Sequence, residues 1–313
     1  MINFFIYIFI LFSFIVCQEQ IGTGLYENEL ITYLQTNYTT NQHLGYDDAR
    51  DILYSEIDNN NNNVYCIYTN YSVQTNPSED PSTHMYNNGI NCEHLWPQSL
   101  GASAEPMRGD LHHLRPCKEN VNSSRGNKPF NDILDYQTNT WFWLQYSTNN
   151  IPQNNLDEYS ESGSTAFEPR EDVKGDIARS LFYFYTVYND VADDIFFNSQ
   201  KDILYSWHVT DPPNNSEINR TWEIASYQND IPNPFILDNS LIFRAYFYES
   251  SDILIGDVTG DGSLNVVDIV LIVNFILETQ DLNDEQIETA DANMDNAINI
   301  VDIIYLINLI TGE

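Results

Sequence analysis

The residues best suited to chemistry lie in one segment, residues 91–130. In this segment a Glu93-His94 pair is followed by His112 and His113. An imidazole ionises near neutral pH and can take a proton from water, and carboxylate and amide oxygens are ligands that magnesium accepts. These residue types together suit a hydrolysis that is assisted by a metal ion.

The same segment holds much of the chain's scarce positive charge. The 313 residues include 46 acidic residues and only 12 Lys or Arg, which gives a formal net charge of −34. Between Arg108 and Lys128 the only acids are Asp110 and Glu119, and the basic residues there are Arg108, Arg115, Lys118, Arg125 and Lys128. The overall acidity repels polyanions at long range. Cations gathered beside histidines therefore predict a local site for a phosphodiester.

Short strands and a helix are predicted to position these side chains. Residues 92–95 and 111–114 are typical of two short strands, the second of which ends at Pro116, and residues 119–124 are typical of a helix. Farther along, apolar residues between 173 and 188 recur about every four positions, which predicts a long buried helix. The expected fold class is α+β, with a mostly helical first domain.

Several blocks of this sequence resemble the bacterial endonuclease I family of secreted nucleases, whose core is a ββα-metal (His-Me finger) motif. The blocks occur in the family's order: EHLWPQS (93–99), PMRGDLHHLRP (106–116), NVNSSRGNKPF (120–130), FEPREDVKGDIARSLFYF (167–184), WHVTDPP (207–213) and QNDIPNPFILD (228–238). Together they cover about residues 25–245. The resemblance implies a nuclease domain at residues 18–250.

The resemblance also implies a role for each matching residue. His94 corresponds to the general base, and Glu93 and Asn122 correspond to the ligands of a catalytic Mg²⁺, which Mn²⁺ could replace. The other catalytic candidates are two contacts to the phosphate and one residue that orients the base or lines the site, namely Arg125, Arg108 and His113.

A zinc site is the alternative reading of the same segment. Its ligands would come from Cys92, His94, His112, His113 and Cys117. Neither a CxxC pair nor an HExxH helix is present, so the residues favour magnesium.

The N-terminus predicts export. Residues 4–16 are apolar but too few to span a bilayer as a mature helix, and no other segment is long and apolar enough. Residues 1–17 are therefore expected to be a secretory signal peptide, with a lipid-modified Cys17 as the alternative. The protein is expected outside a bacterial cell or on its surface, where disulfides form. Cys66 and Cys92 are the expected pair.

The C-terminal residues contain an internal repeat whose two copies begin 34 residues apart, at Asp257 and Asp291. Each copy places oxygen-bearing residues at the alternating positions of a twelve-residue calcium loop, and an apolar helix follows each loop. The first loop offers Asp257, Thr259, Asp261, Ser263, Asn265 and Asp268, and the second offers Asp291, Asn293, Asp295, Ala297, Asn299 and Asp302.

The repeat resembles a type I dockerin, which implies two structural Ca²⁺ sites in a small all-α domain of paired F-hand motifs at residues 251–313. In cellulosomal dockerins, hydroxyl residues near loop positions 10 and 11 and later basic residues face the cohesin partner. Here Val266, Val267, Ile300 and Val301 hold those positions, so a cellulosomal cohesin is not the expected partner. Either calcium only folds this domain, or the domain docks to another protein or a surface.

The combined prediction is a secreted endonuclease, either sugar-non-specific or DNA-preferring, that cleaves phosphodiester bonds with little sequence specificity. Contacts from Lys and Arg go to phosphates, which carry no sequence information. Two alternatives stay open. One is an RNA-preferring enzyme on the same scaffold, and the other is a calcium-dependent surface-binding protein whose nuclease-like domain is inactive.

Overall fold

The computed structural model describes residues 20–40, 42, 44–248, 254–260 and 263–311. The chain divides into two compact units, one of which comprises Ile21–Ser251 while the other includes Asp252–Glu313. The predicted signal peptide (residues 1–17) and the predicted calcium ligand Asp261 lie outside the described residues. Among the residues that are described, no helix has both the length and the hydrophobicity that a membrane span requires.

The first unit mixes helices with short strands, so the α+β prediction is confirmed. Its helices are α1 (Glu27–Tyr38), α2 (Tyr46–Ile52, continued by a π turn at Leu53–Ile57), α3 (Pro81–Asn87), α4 (Glu119–Arg125), α5 (Lys174–Val187), α6 (Asp194–Asn198), α7 (Lys201–Thr210), α8 (Asn215–Ala225), α9 (Pro234–Leu237) and α10 (Leu241–Tyr246). Its strands are β1 (Asn59–Asn60), β2 (Asn63–Tyr65), β3 (Ser72–Gln74), β4 (Ile90–His94), β5 (Leu114–Lys118), β6 (Thr140–Trp143), β7 (Tyr146–Thr148), β8 (Ser160–Ser162) and β9 (Phe167–Glu168).

The strands form small antiparallel sheets with the orders β1-β2-β3, β4-β5 and β7-β6-β8-β9. In the pair that carries the candidate site, β4 and β5 are in register from Ile90 opposite Lys118 to His94 opposite Leu114. Helix α4 follows β5 directly and packs against both strands. Two antiparallel strands and a helix therefore form one local unit.

Helix α5 lies at the centre of the first unit, and most of its side chains are buried. Trp96, which follows β4, stacks on Phe184 of α5 with 4.8 Å between ring centroids. Both rings are buried, and burial of a large apolar side chain stabilises a fold by roughly 1.5–3 kcal/mol. The end of β4 is thus anchored on the most buried helix of the unit.

The second predicted strand begins three residues too early, and it does not end at Pro116. Leu111–His113 form a 3₁₀ turn, in which the Asp110 carboxylate accepts a hydrogen bond from the His112 backbone N–H at 2.9 Å. The carbonyl of Pro116 accepts a hydrogen bond from the Ile67 N–H at 2.9 Å, away from β4. The missing N–H of the proline faces that same side, so the pairing of β5 with β4 continues past it.

The described elements of the second unit are α11 (Val266–Ile276), α12 (Asp284–Ala290) and α13 (Ile300–Thr311). Its core draws on both copies of the repeat and contains Val258, Ile272, Leu282, Ala290, Ala292, Ile303 and Leu306. Val258 and Ala292 are 34 residues apart, as are Ile272 and Leu306. The repeat in the sequence is therefore also a repeat in the packing.

Candidate active site

Strand β4 and helix α4 carry the main candidates of the first unit. Glu93 and His94 end β4, and Asn122 lies on α4. The Asn122 side-chain amide donates hydrogen bonds to Asn91 Oδ1 at 2.9 Å and to the Cys92 carbonyl at 3.1 Å. These bonds fasten α4 to the strand that carries Glu93 and His94.

The His94 ring is held in one orientation. Its Nε2 lies 2.9 Å from the Arg108 carbonyl oxygen, and because a carbonyl only accepts, this nitrogen carries the proton. Nδ1 is then unprotonated, and the Gln98 side-chain amide donates to it at 3.3 Å. Burial, followed by the effect of His113, lowers the pKa of His94 to about 3. The ring is therefore neutral at physiological pH, as a general base must be.

Glu93 has a buried carboxylate, and one of its two oxygens contacts neighbouring side chains. Its Oε1 accepts a hydrogen bond from the Tyr68 hydroxyl at 2.8 Å and lies 3.4 Å from Arg125 Nη1. Within the described part of the chain, Oε2 accepts no hydrogen bond. Burial raises the pKa of Glu93 to about 7, although the Arg125 charge opposes the shift. A cation beside Oε2 would favour the charged carboxylate.

These residues fit a magnesium ion with few protein ligands. Because the Asn122 amide nitrogen makes the two bonds to β4, its Oδ1 stays without a hydrogen bond among the described residues. Oε2 of Glu93 and Oδ1 of Asn122 are hard oxygen donors, and magnesium prefers such donors and keeps several of its waters. Among the described residues, no group of three or more His, Cys, Asp or Glu side chains is arranged so that it could hold a metal ion.

Arg125, which the sequence predicts to contact the phosphate, is buried at the end of β4. The residue is only 1% exposed. Its guanidinium donates to the carbonyls of His94 at 3.2 Å and Leu95 at 2.7 Å, and it lies over the Phe130 ring at 4.6 Å. Arg125 thus uses its donors to hold the end of β4 and to accompany the Glu93 carboxylate.

Arg108 is the better placed of the two predicted phosphate contacts. Its guanidinium carbon lies 4.4 Å from the centre of the Tyr46 ring, and that ring lies 5.1 Å from the His94 ring. Nε of Arg108 has no hydrogen-bond partner in the described structure, and the ion pairs described there do not include this residue. No described carboxylate therefore neutralises its charge.

The other basic residues of the stretch contact different partners. Arg115 lies 4.0 Å from Asp176, Lys118 donates to the Gln145 carbonyl at 2.9 Å, and Lys128 donates to the Ser124 carbonyl at 2.9 Å. Of the five basic residues clustered in the sequence, Arg108 and Arg125 are therefore the two whose contacts place them next to His94.

His113 supports His94 by packing. The two rings meet edge to face with 5.4 Å between centroids, and His113 also packs against Phe184 of α5 at 4.8 Å. Nε2 of His113 donates to the Met107 carbonyl at 2.6 Å. The ring is fully buried, so the His94 ring packs against a side chain that is itself held in place.

A buried carboxylate, Asp110, anchors the turn next to these histidines. It accepts hydrogen bonds from the hydroxyls of Tyr183 at 2.9 Å and Tyr188 at 2.7 Å, and from the Gln228 amide at 3.0 Å. The same carboxylate caps the turn that contains His113. Residues distant in sequence thereby hold Asp110 in place. The backbone just before Asp110 carries the Met107 and Arg108 carbonyls that bind the His113 and His94 rings.

Three residues around the site were not among the sequence predictions: Tyr46, Tyr68 and Gln98. Gln98 stands four residues after His94 in the EHLWPQS block, so its spacing could have identified it. Tyr46 and Tyr68 precede the block by more than twenty residues. Only the fold brings them to the site, and the sequence contains no signal for either.

The expected bridge between Cys66 and Cys92 is absent, and all three described cysteines are free thiols. Cys117 stands directly opposite Asn91 in the β4–β5 pair. Cys92, the next residue, therefore points to the other face of the pair. Cys66 lies on the Cys117 side, with 3.9 Å between the two sulfurs. The strands themselves separate Cys92 from Cys66.

The two loops of the second unit repeat one hydrogen-bond pattern. The carboxylate at the last loop position accepts hydrogen bonds from two backbone N–H groups of its own loop. In the first loop Asp268 accepts from Thr259 at 3.0 Å and Asn265 at 2.9 Å, and in the second Asp302 accepts from Asn293 at 3.2 Å and Asn299 at 2.7 Å.

The second loop also concentrates negative charge. Burial, followed by the carboxylates of Asp302 and Asp295, raises the pKa of Asp291 to about 6. The shift has the sign expected for acids that face one another without a countercharge. A bound cation would remove this repulsion.

A sequence model of endonuclease I matches residues 22–240. The chain belongs to the endonuclease I family. A model of the dockerin type I domain matches residues 255–311. Both resemblances seen in the sequence are thus confirmed.

Curated relatives of this family member include two proteins named Extracellular ribonuclease. The protein from Bacillus subtilis (strain 168) is 31% identical over 196 residues, and the protein from Bacillus amyloliquefaciens is 31% identical over 194 residues. Each match covers 56% of this chain and 59% of the relative. The chain thus spans about three fifths of the length of these relatives.

Proposed function

We propose that this chain is a secreted, metal-dependent endonuclease that hydrolyses phosphodiester bonds of DNA and RNA with little sequence specificity. The observation that carries the proposal is the fixed ring of His94, whose Nε2–H is bound to the Arg108 carbonyl at 2.9 Å. The same geometry leaves Nδ1 unprotonated, with the Gln98 side-chain amide 3.3 Å from it. In this proposal β4, β5 and α4 form the ββα-metal core.

His94 acts as the general base. Nδ1 takes a proton from a water molecule, and the Gln98 amide, which donates to Nδ1 at 3.3 Å, gives way to that water. Burial keeps the ring neutral before the reaction. A phosphate bound nearby favours the protonated ring, because an opposite charge raises the pKa of an imidazole. The base thus becomes stronger once the substrate is present.

Glu93 and Asn122 would hold Mg²⁺, or Mn²⁺ in its place. Bound there, such an ion would supply positive charge that stabilises the phosphate during cleavage. The donor set supports this assignment, since Glu93 Oε2 and Asn122 Oδ1 accept no hydrogen bond from the described residues. Tyr68 and Arg125 hold the other oxygen of Glu93 and so fix the direction of the carboxylate.

Arg108 is the proposed contact to a non-bridging phosphate oxygen, because it stands over Tyr46 beside His94 without an ion-pair partner in the described structure. Arg125 positions the end of β4 through the carbonyls of His94 and Leu95. His113 orients the His94 ring by packing. Of the two arginines, only Arg108 contacts the substrate in this proposal.

A preference for RNA is the second candidate. It is favoured by the relatives' name, Extracellular ribonuclease. The groups assigned above act on the phosphate, which DNA and RNA share, and phosphate contacts do not read sequence. The first proposal therefore remains cleavage of both nucleic acids.

For the second unit we propose two structural Ca²⁺ sites. The ligands are the side chains or carbonyls at the loop positions identified in the sequence: Asp257, Thr259, Asp261, Ser263 and Asp268 in the first, and Asp291, Asn293, Asp295, Ala297 and Asp302 in the second. The matching hydrogen bonds of Asp268 and Asp302 support equivalent roles. The unit would dock to a protein or a surface once calcium has folded it.

The test is digestion of plasmid DNA and of RNA by the purified chain, at equal phosphodiester concentrations, with Mg²⁺, with Ca²⁺ or with a chelator. We expect cleavage of both substrates with Mg²⁺ and none with the chelator. Cleavage in the chelator, or with Ca²⁺ only, would contradict the magnesium assignment. Cleavage of RNA alone would establish the second candidate, and cleavage of neither would favour the surface-binding alternative.

A further inference from the structure

Two buried cysteines meet at the edge of strand β5. The Sγ atoms of Cys66 and Cys117 lie 3.9 Å apart, and both residues are fully buried. The backbones run side by side at this point, because the Ile67 N–H donates to the Pro116 carbonyl at 2.9 Å and the Lys118 N–H donates to Cys66 Sγ at 3.2 Å. A disulfide needs Cβ atoms roughly 3.5–4.5 Å apart, a separation that neighbouring backbones allow.

We propose that Cys66 and Cys117 form a disulfide in the mature protein, and that Cys92 stays reduced. The pair is separated by 51 residues along the chain, so the bridge closes a long loop. Cys92 lies on the opposite face of the β4–β5 pair, since its neighbour Asn91 stands opposite Cys117. Cys92 therefore serves as a control, because oxidation should leave its thiol unchanged.

The bond would form while the chain folds, before both thiols are buried, by thiol–disulfide exchange with a low-molecular-weight disulfide. One cysteine thiolate attacks that disulfide, which yields a mixed disulfide and one released thiol. The second cysteine then displaces the other half as a second thiol. Two protein thiols thus lose two protons and two electrons, and the external disulfide takes them up as two thiols.

The bridge would join two segments whose neighbouring residues contact the candidate site. Two residues after Cys66 stands Tyr68, whose hydroxyl donates to Glu93 at 2.8 Å. On the other strand, Cys117 faces Asn91, which accepts the hydrogen bond from Asn122 at 2.9 Å. A covalent bond between the two segments would fix the spacing between the Tyr68 side and the Asn122 side of the site.

The test begins with a count of thiols in the full chain. The reduced, denatured protein is refolded in a buffer of reduced and oxidised glutathione, then quenched with acid, denatured, alkylated and mapped by mass spectrometry. We expect one disulfide, between the peptides that contain Cys66 and Cys117, and an alkylated Cys92. Full alkylation of Cys66 and Cys117, or a bridge that includes Cys92, would overturn the proposal.

Thermal unfolding provides a second readout. Reduction of the oxidised wild type should lower Tm on the order of 10 °C, because a bridge that closes a long loop restricts the unfolded chain. Cys92→Ser should show the same drop. Cys66→Ser and Cys117→Ser should start from the lower Tm and not respond to reductant. Equal melting of the wild type with and without reductant would contradict a structural bridge.

Neither measurement uses nuclease activity, so the disulfide and the proposed function stand or fall separately. If a serine variant fails to fold, the comparison of oxidised and reduced wild type still decides the question.

Discussion

The two predicted metal sites of this chain are built in different ways. In the second unit, each calcium loop contains all its predicted ligands within twelve consecutive residues, from Asp257 to Asp268 and from Asp291 to Asp302. In the first unit, the predicted ligands come from a strand and a helix, Glu93 and Asn122. The local sites need only the correct loop, whereas the distributed site needs the fold around it.

The two regions also balance charge differently. The Glu93 carboxylate has its own counterion, since Arg125 Nη1 lies 3.4 Å from it. The chain has no Lys or Arg after residue 252, so the loop carboxylates have no basic partner in their own unit. We therefore expect divalent ions to control activity in the first unit and stability in the second.

The largest effect is expected for His94→Ala. Loss of the general base should lower the rate of plasmid nicking by roughly 10³-fold, while calcium binding by the second unit stays unchanged. His84→Ala is the matched control, because His84 pairs with Glu79 on the surface. Near-wild-type cleavage by His94→Ala would refute the assignment of the base.

Glu93→Gln should weaken the magnesium site. The amide keeps the size of the side chain but loses the charge that attracts the ion. We expect the Mg²⁺ concentration for half-maximal cleavage to rise at least ~10-fold, with no change in the calcium titration of the second unit. An unchanged magnesium dependence would mean that Glu93 is not a ligand.

Asp302→Asn should weaken calcium binding by the second unit and leave magnesium-dependent cleavage by the first unit unchanged. The second loop loses the charged carboxylate at its last position, so titration calorimetry should detect one strong calcium site instead of two. Cleavage with Mg²⁺ should stay within about twofold of the wild type, because this loop takes no part in the reaction. A large loss of cleavage would show that the two units depend on each other.

Tyr68→Phe should cause a smaller loss, about three- to tenfold, because it removes one hydrogen bond to a buried carboxylate. That bond lowers the pKa of Glu93, so its loss should raise that pKa further. At subsaturating Mg²⁺ the acid limb of the pH–rate profile should move to higher pH. A uniform loss of rate at every pH would instead indicate a purely structural role.

The smallest effect concerns the calcium-free second unit. The pKa of Asp291 is raised to about 6 in the fold, so between about pH 4 and pH 6 the folded state binds more protons than the unfolded state. Stability without calcium should therefore fall as pH rises through this window. Calorimetry with chelator should detect melting a few degrees lower at pH 7 than at pH 5, and saturating Ca²⁺ should abolish the difference.

The sequence by itself determined the features that rest on local patterns. The Glu93-His94 pair, Asn122 on its helix and the calcium loops could all be identified from residue type and spacing. The long buried helix α5 followed from its period, and the 34-residue repeat reappears in the core of the second unit. In each case the information lies within a few turns of chain.

Tertiary structure alone decided the features that depend on which face a strand presents and on what packs against it. The partner of Cys66 is Cys117 because cross-strand pairing places Cys92 on the opposite face. Arg125 is buried beneath β4, and Tyr68 reaches Glu93, because segments distant in sequence meet there. Spacing along a chain fixes neighbours on one element, but burial and pairing between elements are properties of the whole fold.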